Sequence, residues 1–422
     1  MRCLRRRLPK PMEPAGCHGL LVKPCAVAAG TDCEQSVAPA NTEGRPGLSP
    51  SLIGTALLTL ALSAAWASAA VAAAAPAPLP EAASAQAGGA EVVDVRRIWD
   101  AAPHNAFTDL IRHKEEWLCV FREGTGHVSH DGKIRVIASA DGTAWASAAL
   151  VETPDAGVPD LRDPKICHTP DGRLMLIAGA ANRKPGEQKH RTYVWFSSDG
   201  RQWGDATPVA DENVWLWRVT WHKGKAYGVG YGREGAERIA RLYTSDDGRT
   251  FRALVPRLFE AGYPNEATLR FLPDDTCLCL LRRDGSPNSA QLMVAEPPYE
   301  SWAWKDLGVR VGGPNFLRLA DGRLVAVTRR YDGGVRTSLQ WLDPAKGTLS
   351  EFLRLPSGGD TSYAGLAWHD GVLWISYYSS HEKKTGIYLA RVRLPAPAGG
   401  GDRKDLPEHA ALHGKSPKTP LP

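Results

Sequence analysis

Between about Glu91 and Leu394 the chain is a succession of short apolar runs broken by tight polar turns. Alternation such as Arg323-Leu324-Val325-Ala326-Val327 has the period of a β-strand with one face on a core, and no stretch in this region carries a helical period. The runs pair into six similar units, each a strand, a tight turn and a second strand. They span 110–121 around Lys114-Glu115, 165–177 around Asp171-Gly172, 219–229 around Lys223-Gly224, 268–281 around Asp274-Asp275, 316–327 around Asp321-Gly322 and 366–375 around Asp370-Gly371. A second repeat overlies the first. Ser139-Ala140-Asp141-Gly142-Thr143-Ala144-Trp145, Ser197-Ser198-Asp199-Gly200-Arg201-Gln202-Trp203 and Ser245-Asp246-Asp247-Gly248-Arg249-Thr250-Phe251 share one form. In each, Asp can bond backbone amides, Gly supplies positive φ, and the aromatic packs back on the sheet, so each is a hairpin turn. Recurrence at steps of roughly fifty residues marks a repeat architecture. Four strands in each of six units predict an all-β fold, a six-bladed β-propeller over 91–394. Glu91-Val92-Val93-Asp94-Val95 is the candidate outer strand that closes the ring on the last blade, which ends at Arg391-Val392-Arg393-Leu394.

The repeat also says which residues share a rim. An antiparallel hairpin brings the start of its first strand beside the end of its second. Counting eight residues past each turn gives Arg122, Gly179, Tyr231, Arg282, Arg329 and Tyr378. Counting seven or eight back gives Asp163, Glu266, Ser362 and Tyr363, with Arg162 one residue further. The loop between second and third strands opens on the same end, and in the fifth unit it carries Arg330 and Arg336. One end thus gathers Arg, Glu, Asp and Tyr, and the opposite end carries the Ser-x-Asp-Gly turns. A single surface Arg is ordinarily just solvated. Several guanidinium groups converging on one axis repel each other unless an anion sits among them, which predicts a carboxylate-bearing ligand. Tyr363 beside Glu266 would let the carboxylate take the phenol proton and make a nucleophile.

Outside the repeats the composition changes. Residues 1–50, rich in Arg, Pro and Gly, read as a disordered leader or an overlong start. Residues 51–75 hold an apolar run, from Leu52 to Ala75, with small residues after its centre. That is the form of a secretory signal; a membrane anchor is the competing reading, since the run is long enough to span. Either predicts export, with the rest of the chain secreted or periplasmic, or tethered through 52–75. Residues 76–90 form an Ala/Pro linker and 395–422 a Pro/Gly/Lys tail. A formal charge of +5 over 422 residues, with no long basic run in the β-rich part, argues against a nucleic-acid partner. Cys119, Cys167, Cys277 and Cys279 lie in apolar runs without metal-ligand spacing, which predicts buried thiols.

The three Ser-x-Asp-Gly-x-x-aromatic turns resemble the Asp-boxes of the sialidase (neuraminidase) superfamily, and the likeness runs through 91–394. The resemblance implies a six-bladed propeller in which a Glu of the fourth blade activates a Tyr of the sixth; Glu266 in Pro264-Asn265-Glu266-Ala267 and Tyr363 in Thr361-Ser362-Tyr363-Ala364-Gly365 look like this pair. It implies three arginines on a substrate carboxylate. Arg283 or its neighbour Arg282 fits the second, and Arg336 fits the third better than Arg329. The first is absent: the matching stretch reads His104-Asn105-Ala106-Phe107-Thr108-Asp109, and Arg122 or Arg162 would have to compensate. For the acid/base, Asp131 is the best match, with Asp163 as the other candidate. The activity implied is a retaining exo-glycosidase on terminal acidic sugars of glycoconjugates, acting as a monomer with no cofactor and no metal. Two rivals stand beside it: a non-catalytic carbohydrate-binding propeller, and a glycosidase of another specificity in which His104 and Asn105 contact neutral hydroxyls.

Overall fold

The computed structural model describes residues 89–397. The leader, the apolar run, nearly all of the Ala/Pro linker and nearly all of the tail lie outside the described residues. Six four-stranded antiparallel sheets follow one another as the blades of a propeller. Their innermost strands are His104–His113, Asp160–His168, Val214–His222, Pro264–Phe271, Val311–Arg318 and Thr361–His369, in blades one to six. The ring closes by a strand from the beginning of the described chain. Glu91–Trp99 is the outermost strand of blade six, antiparallel to Gly386–Arg393, with Glu91 opposite Arg393. Joining the two ends of the repeat in one sheet ties blade six to the start of the described chain, so the ring cannot open there without breaking that ladder.

Apolar faces of neighbouring blades meet in a series of core clusters. Trp117 of blade one stacks on Trp374 of blade six at 4.2 Å between ring centroids, and Val325, Leu339, Leu373 and Ile375 fill the space between blades five and six. Burial on this scale is what offsets the entropy of ordering so many strands. The Ser-x-Asp-Gly turns brace the outer hairpins at one end. In the second, Asp199 Oδ1 accepts from the amides of Arg201 and Gln202 (2.8 and 3.0 Å), Gly200 N donates to Ser197 Oγ, and the Trp203 indole donates to Gly200 O. Gly200, at φ 73°, lies against blade one: a Cβ there would fall 2.6 Å from Leu118 Cδ1. The turn therefore locks one blade to the next and does no chemistry.

The other end is shaped by a feature that repeats six times. Each innermost strand carries a bulge one to three residues into its pairing, between Ala106 and Asp109, Arg162 and Lys165, Leu216 and Val219, Pro264 and Ala267, Gly312 and Asn315, and Ser362 and Gly365. A bulge leaves its extra residue unpaired and re-aims its side chain. Here the released residues include Phe107, Asp163, Glu266, Gly313 and Tyr363, so the sixfold bulge delivers side chains to the axis. Phe107, Asp163 and Tyr363 hold left-handed φ of 63°, 56° and 53°. Such backbone is costly for residues with a Cβ and is tolerated where the surroundings over-determine it.

Candidate active site

Tyr363 is brought to the axis by two successive left-handed residues, Ser362 (φ 88°) and Tyr363 itself. Its ring is walled by Phe107, Trp217 and Tyr378 at 5.1, 5.6 and 5.8 Å between centroids. The guanidinium of Arg329 lies over the ring, 5.1 Å from its centre. The hydroxyl donates a short hydrogen bond to Glu266 Oε1 and accepts one from Arg282 Nη1 at 3.0 Å. Glu266 comes from the bulge of blade four and is almost fully buried. Its two oxygens also accept from Arg282 Nη1 (2.9 and 3.0 Å), and Oε2 accepts from Gly313 N at 2.7 Å. Burial alone would raise the Glu266 pKa, but the charge of Arg282 and these hydrogen bonds outweigh it and hold the carboxyl below its ordinary value. Burial first and the Glu266 charge second push the Tyr363 phenol well above its own. The resting pair is thus a neutral phenol donating to a carboxylate, with a guanidinium bridging both.

Toward blades one and six, Arg329 donates to Thr361 O (2.8 Å) and Tyr378 Oη (2.7 Å), and lies 3.3 Å from Asp360 Oδ1. Asp360 also faces two imidazoles, His104 Nε2 at 3.0 Å and His127 Nδ1 at 2.6 Å. Where the superfamily resemblance expects an arginine, blade one presents Phe107 and His104.

Toward blades two and three stands Asp163, buried, with Oδ1 lacking any hydrogen-bond partner and Oδ2 3.7 Å from Arg162 Nε. Burial raises its pKa, against the pull of Arg162 and Lys165 and helped by the nearby Glu266 charge. Lys165 lies over the Trp217 ring at 4.5 Å, and burial lowers its pKa to about 8. Arg162 sits 4.7 Å above the Phe107 ring, and Arg238 lies 4.8 Å over Tyr231. Arg183 follows the second strand of blade two, Leu174–Asn182. Burial and the charges of Arg183, Arg238 and Arg162 together push His190 down to about 4. Positive charge is concentrated on this side of the axis.

Several expected site residues lie elsewhere. Arg283 and Arg282 are neighbours on a strand, so they point to opposite faces; Arg282 reaches the axis and Arg283 turns to Ser289 and Asp306. Arg336 lies on the third strand of blade five, one strand further from the axis, and Glu351 of the fourth strand takes its guanidinium at 2.7 and 2.8 Å. Arg329, on the second strand, is the one beside Tyr363. Arg122 is fully buried and bonds Asp160, Gly126 O and Ser129, a strut under the first loop. Asp131 holds that loop by accepting from Thr125 N and Oγ1, at 3.2 Å each. Asn105 donates to Ala102 O and Thr385 O, joining blades one and six. Asp360, His127, Lys165, Arg183 and Arg238 were missed by the count along hairpins, because they lie in loops or on strands outside its positions. Cys119, Cys277 and Cys279 are buried free thiols and Cys167 is half-buried.

Solved structures share the arrangement. A protein of unknown function from Dyadobacter fermentans superposes with a TM-score of 0.65 at 19% identity, over 73% of this chain and 100% of that one. An α-L-arabinofuranosidase of Fusarium graminearum in complex with arabinobiose gives 0.58 at 14% identity, over 72% and 98%. A Trypanosoma rangeli sialidase gives 0.53 at 12% identity, over 72% of this chain and 60% of that one. The fold is that of the sialidase-like propellers. At these identities the likeness concerns the fold, whose solved members include glycosidases of more than one specificity. No family model matches the sequence, and no curated protein does.

Proposed function

We propose that the protein is a retaining, exo-acting glycoside hydrolase in which Tyr363 is the nucleophile and Glu266 its base. The observation that carries this is the hydrogen bond from the Tyr363 hydroxyl to Glu266, whose oxygens are otherwise filled by Arg282 and Gly313. With its lone pairs taken by four hydrogen bonds from three donors, the carboxylate is poorly disposed to attack carbon itself; the phenol oxygen, bonded only to Glu266 and Arg282, is the free one. In the first step Tyr363 Oη bonds to the anomeric carbon as its proton passes to Glu266, and the glycosidic C–O bond breaks as protonated Asp163 gives its proton to the leaving oxygen. In the second, ionised Asp163 takes a proton from water, the water oxygen replaces Tyr363 at the same carbon, and the phenol recovers its proton from Glu266. Arg282 spans both oxygens of the relay and stabilises the charge that moves between them.

The charge distribution supports an acidic terminal sugar. Arg282 and Arg329 are each held by protein carboxylates, Glu266 with Asp284 and Asp360. Among the described residues Arg183 and Arg238 pair with no carboxylate, and Arg238 Nε is buried without a hydrogen-bond partner, whereas Arg162 is held by Asp160 and Asp163. The guanidinium groups of Arg183 and Arg238 would take a carboxylate or sulfate of the sugar. A second reading is a neutral glycoside, favoured by the neutralisation of Arg282 and Arg329 and by His104 in place of an arginine. A panel of fluorogenic sialosides, uronides, sulfated sugars and α-L-arabinofuranosides separates the two. Cleavage with retained anomeric configuration, abolished in Tyr363→Phe, is the expected result. Binding of a glycan without turnover, unchanged in that variant, would make the protein a carbohydrate-binding propeller instead.

A further inference from the structure

His104, His127 and Asp360 form a cluster that the proposed chemistry leaves unused. They come from the innermost strand of blade one, the loop after its second strand, and the segment just before Thr361–His369. Their ligand-type atoms, one from each residue, all lie within 4.8 Å of one another. His104 Nε2 and His127 Nδ1 converge on a single carboxylate oxygen, Asp360 Oδ2. We propose that these three residues bind a divalent transition-metal ion of the zinc class.

Three features favour a metal over a hydrogen-bonded trio alone. The second oxygen of Asp360 is held by Tyr378 Oη at 2.8 Å and by Arg329, which turns Oδ2 toward the imidazoles; ligands in metal sites are oriented by such outer contacts. The His104 ring is buried and packed against Phe107, with centroids 6.5 Å apart, while His127 is about half exposed, so one ligand is fixed and the other leaves a way in. Two imidazole nitrogens and one carboxylate oxygen suit zinc, cobalt or nickel and are too few oxygens for calcium or magnesium. His104 Nδ1 is buried without a partner, metal or no metal, so it does not discriminate. The ion would lie near the positive Arg329, an arrangement that calls for an anionic or oxygen ligand in the open positions. A hydroxyl or carboxylate oxygen of the sugar would fill them, on the side where blade one lacks an arginine. That last role rests on the glycosidase reading; the metal site does not.

The test is titration of the full chain, stripped with chelator, with ZnCl2 by calorimetry and with CoCl2 by visible absorption. One equivalent of saturable binding is expected, with a cobalt d–d band that zinc bleaches. His127→Ala, at a half-exposed position, should weaken zinc at least tenfold and leave the melting temperature of the metal-free protein unchanged. His369→Ala, outside the cluster, should change nothing. Absence of saturable binding, or equal binding by His127→Ala, overturns the proposal whether or not the protein cleaves a glycoside. Metal binding without any glycosidase activity would leave the site standing and remove only its role in substrate binding.

Discussion

Gly313 lies against Tyr363 so closely that a Cβ on it would fall 2.7 Å from Cδ2 and 2.8 Å from Cγ of the phenol ring. The same residue, at φ 55°, sends its amide to Glu266 Oε2. One glycine thus sets both members of the pair, through its missing side chain and through its N–H. Gly313→Ala should displace the ring and strain the backbone, costing about 1–3 kcal/mol of stability. A shift of that kind at reacting atoms lowers kcat by about 10²-fold. Thermal melting and kcat on the best substrate of the panel measure both.

Tyr363→Phe separates chemistry from architecture. The ring keeps its contacts with Phe107, Trp217 and Tyr378, and Glu266 keeps Arg282 and Gly313. Only the hydroxyl goes. Stability should change by about 1 kcal/mol or less, while turnover falls by about 10³-fold or more. A glycosyl–enzyme intermediate trapped with a fluorosugar should map to the peptide containing Tyr363 by mass spectrometry. A label on Glu266 instead would exchange the roles of the two residues.

Opposite perturbations of two carboxyls predict the pH profile. Glu266 must be ionised, and its pKa is held below the ordinary value once Arg282 outweighs burial; Asp163 must be protonated, and burial raises its pKa. Activity should therefore rise as pH climbs through the Glu266 value and fall as it climbs through the raised Asp163 value. Asp163→Asn should remove the alkaline limb and lower activity on poor leaving groups by about 10²–10⁴-fold, with a much smaller loss on a nitrophenyl glycoside. An unchanged alkaline limb in that variant would assign the proton donor elsewhere.

Much of this was legible in the sequence because it follows from periods. Strand alternation, the Ser-x-Asp-Gly turns and the hairpin count give six blades, and the same count brings Glu266, Tyr363, Arg282 and Arg329 to one rim. What it missed depends on finer geometry. Choosing Arg282 over Arg283 needs the exact strand register, which the bulge between Pro264 and Ala267 shifts. Arg329 and Arg336 flank the same short loop, and only the distance of each strand from the axis separates them. Asp360 carries no pattern of its own; its partners His104 and His127 are more than two hundred residues away along the chain. The sequence also suggested that clustered guanidinium groups demand an external anion. In the fold, Glu266, Asp284 and Asp360 already meet Arg282 and Arg329, Asp160 and Asp163 meet Arg162, and the surplus lies with Arg183 and Arg238.

The two arginines of blade five should consequently behave in opposite ways. Arg336 is held by Glu351, whose pKa burial would raise but whose hydrogen bonds from Arg336, Ser338 and Arg354 hold it at about 2. A carboxyl depressed in the folded state stabilises above its unfolded pKa, and that stabilisation is lost as pH falls toward the folded value. Arg336→Met should therefore lower stability by about 1–3 kcal/mol at pH 7, leaving partly buried Glu351 with only Ser338 and Arg354 as partners, and by progressively less as pH falls toward 2. Its kcat/KM at temperatures well below melting should stay unchanged. Arg329→Met leaves the ring of Tyr363 without its guanidinium and Asp360 without a cation, so it should depress kcat/KM strongly. If Arg336→Met instead abolished binding of an acidic sugar while leaving the melting curve intact, the substrate would lie outside the Tyr363 axis and the blade-five assignment would reverse.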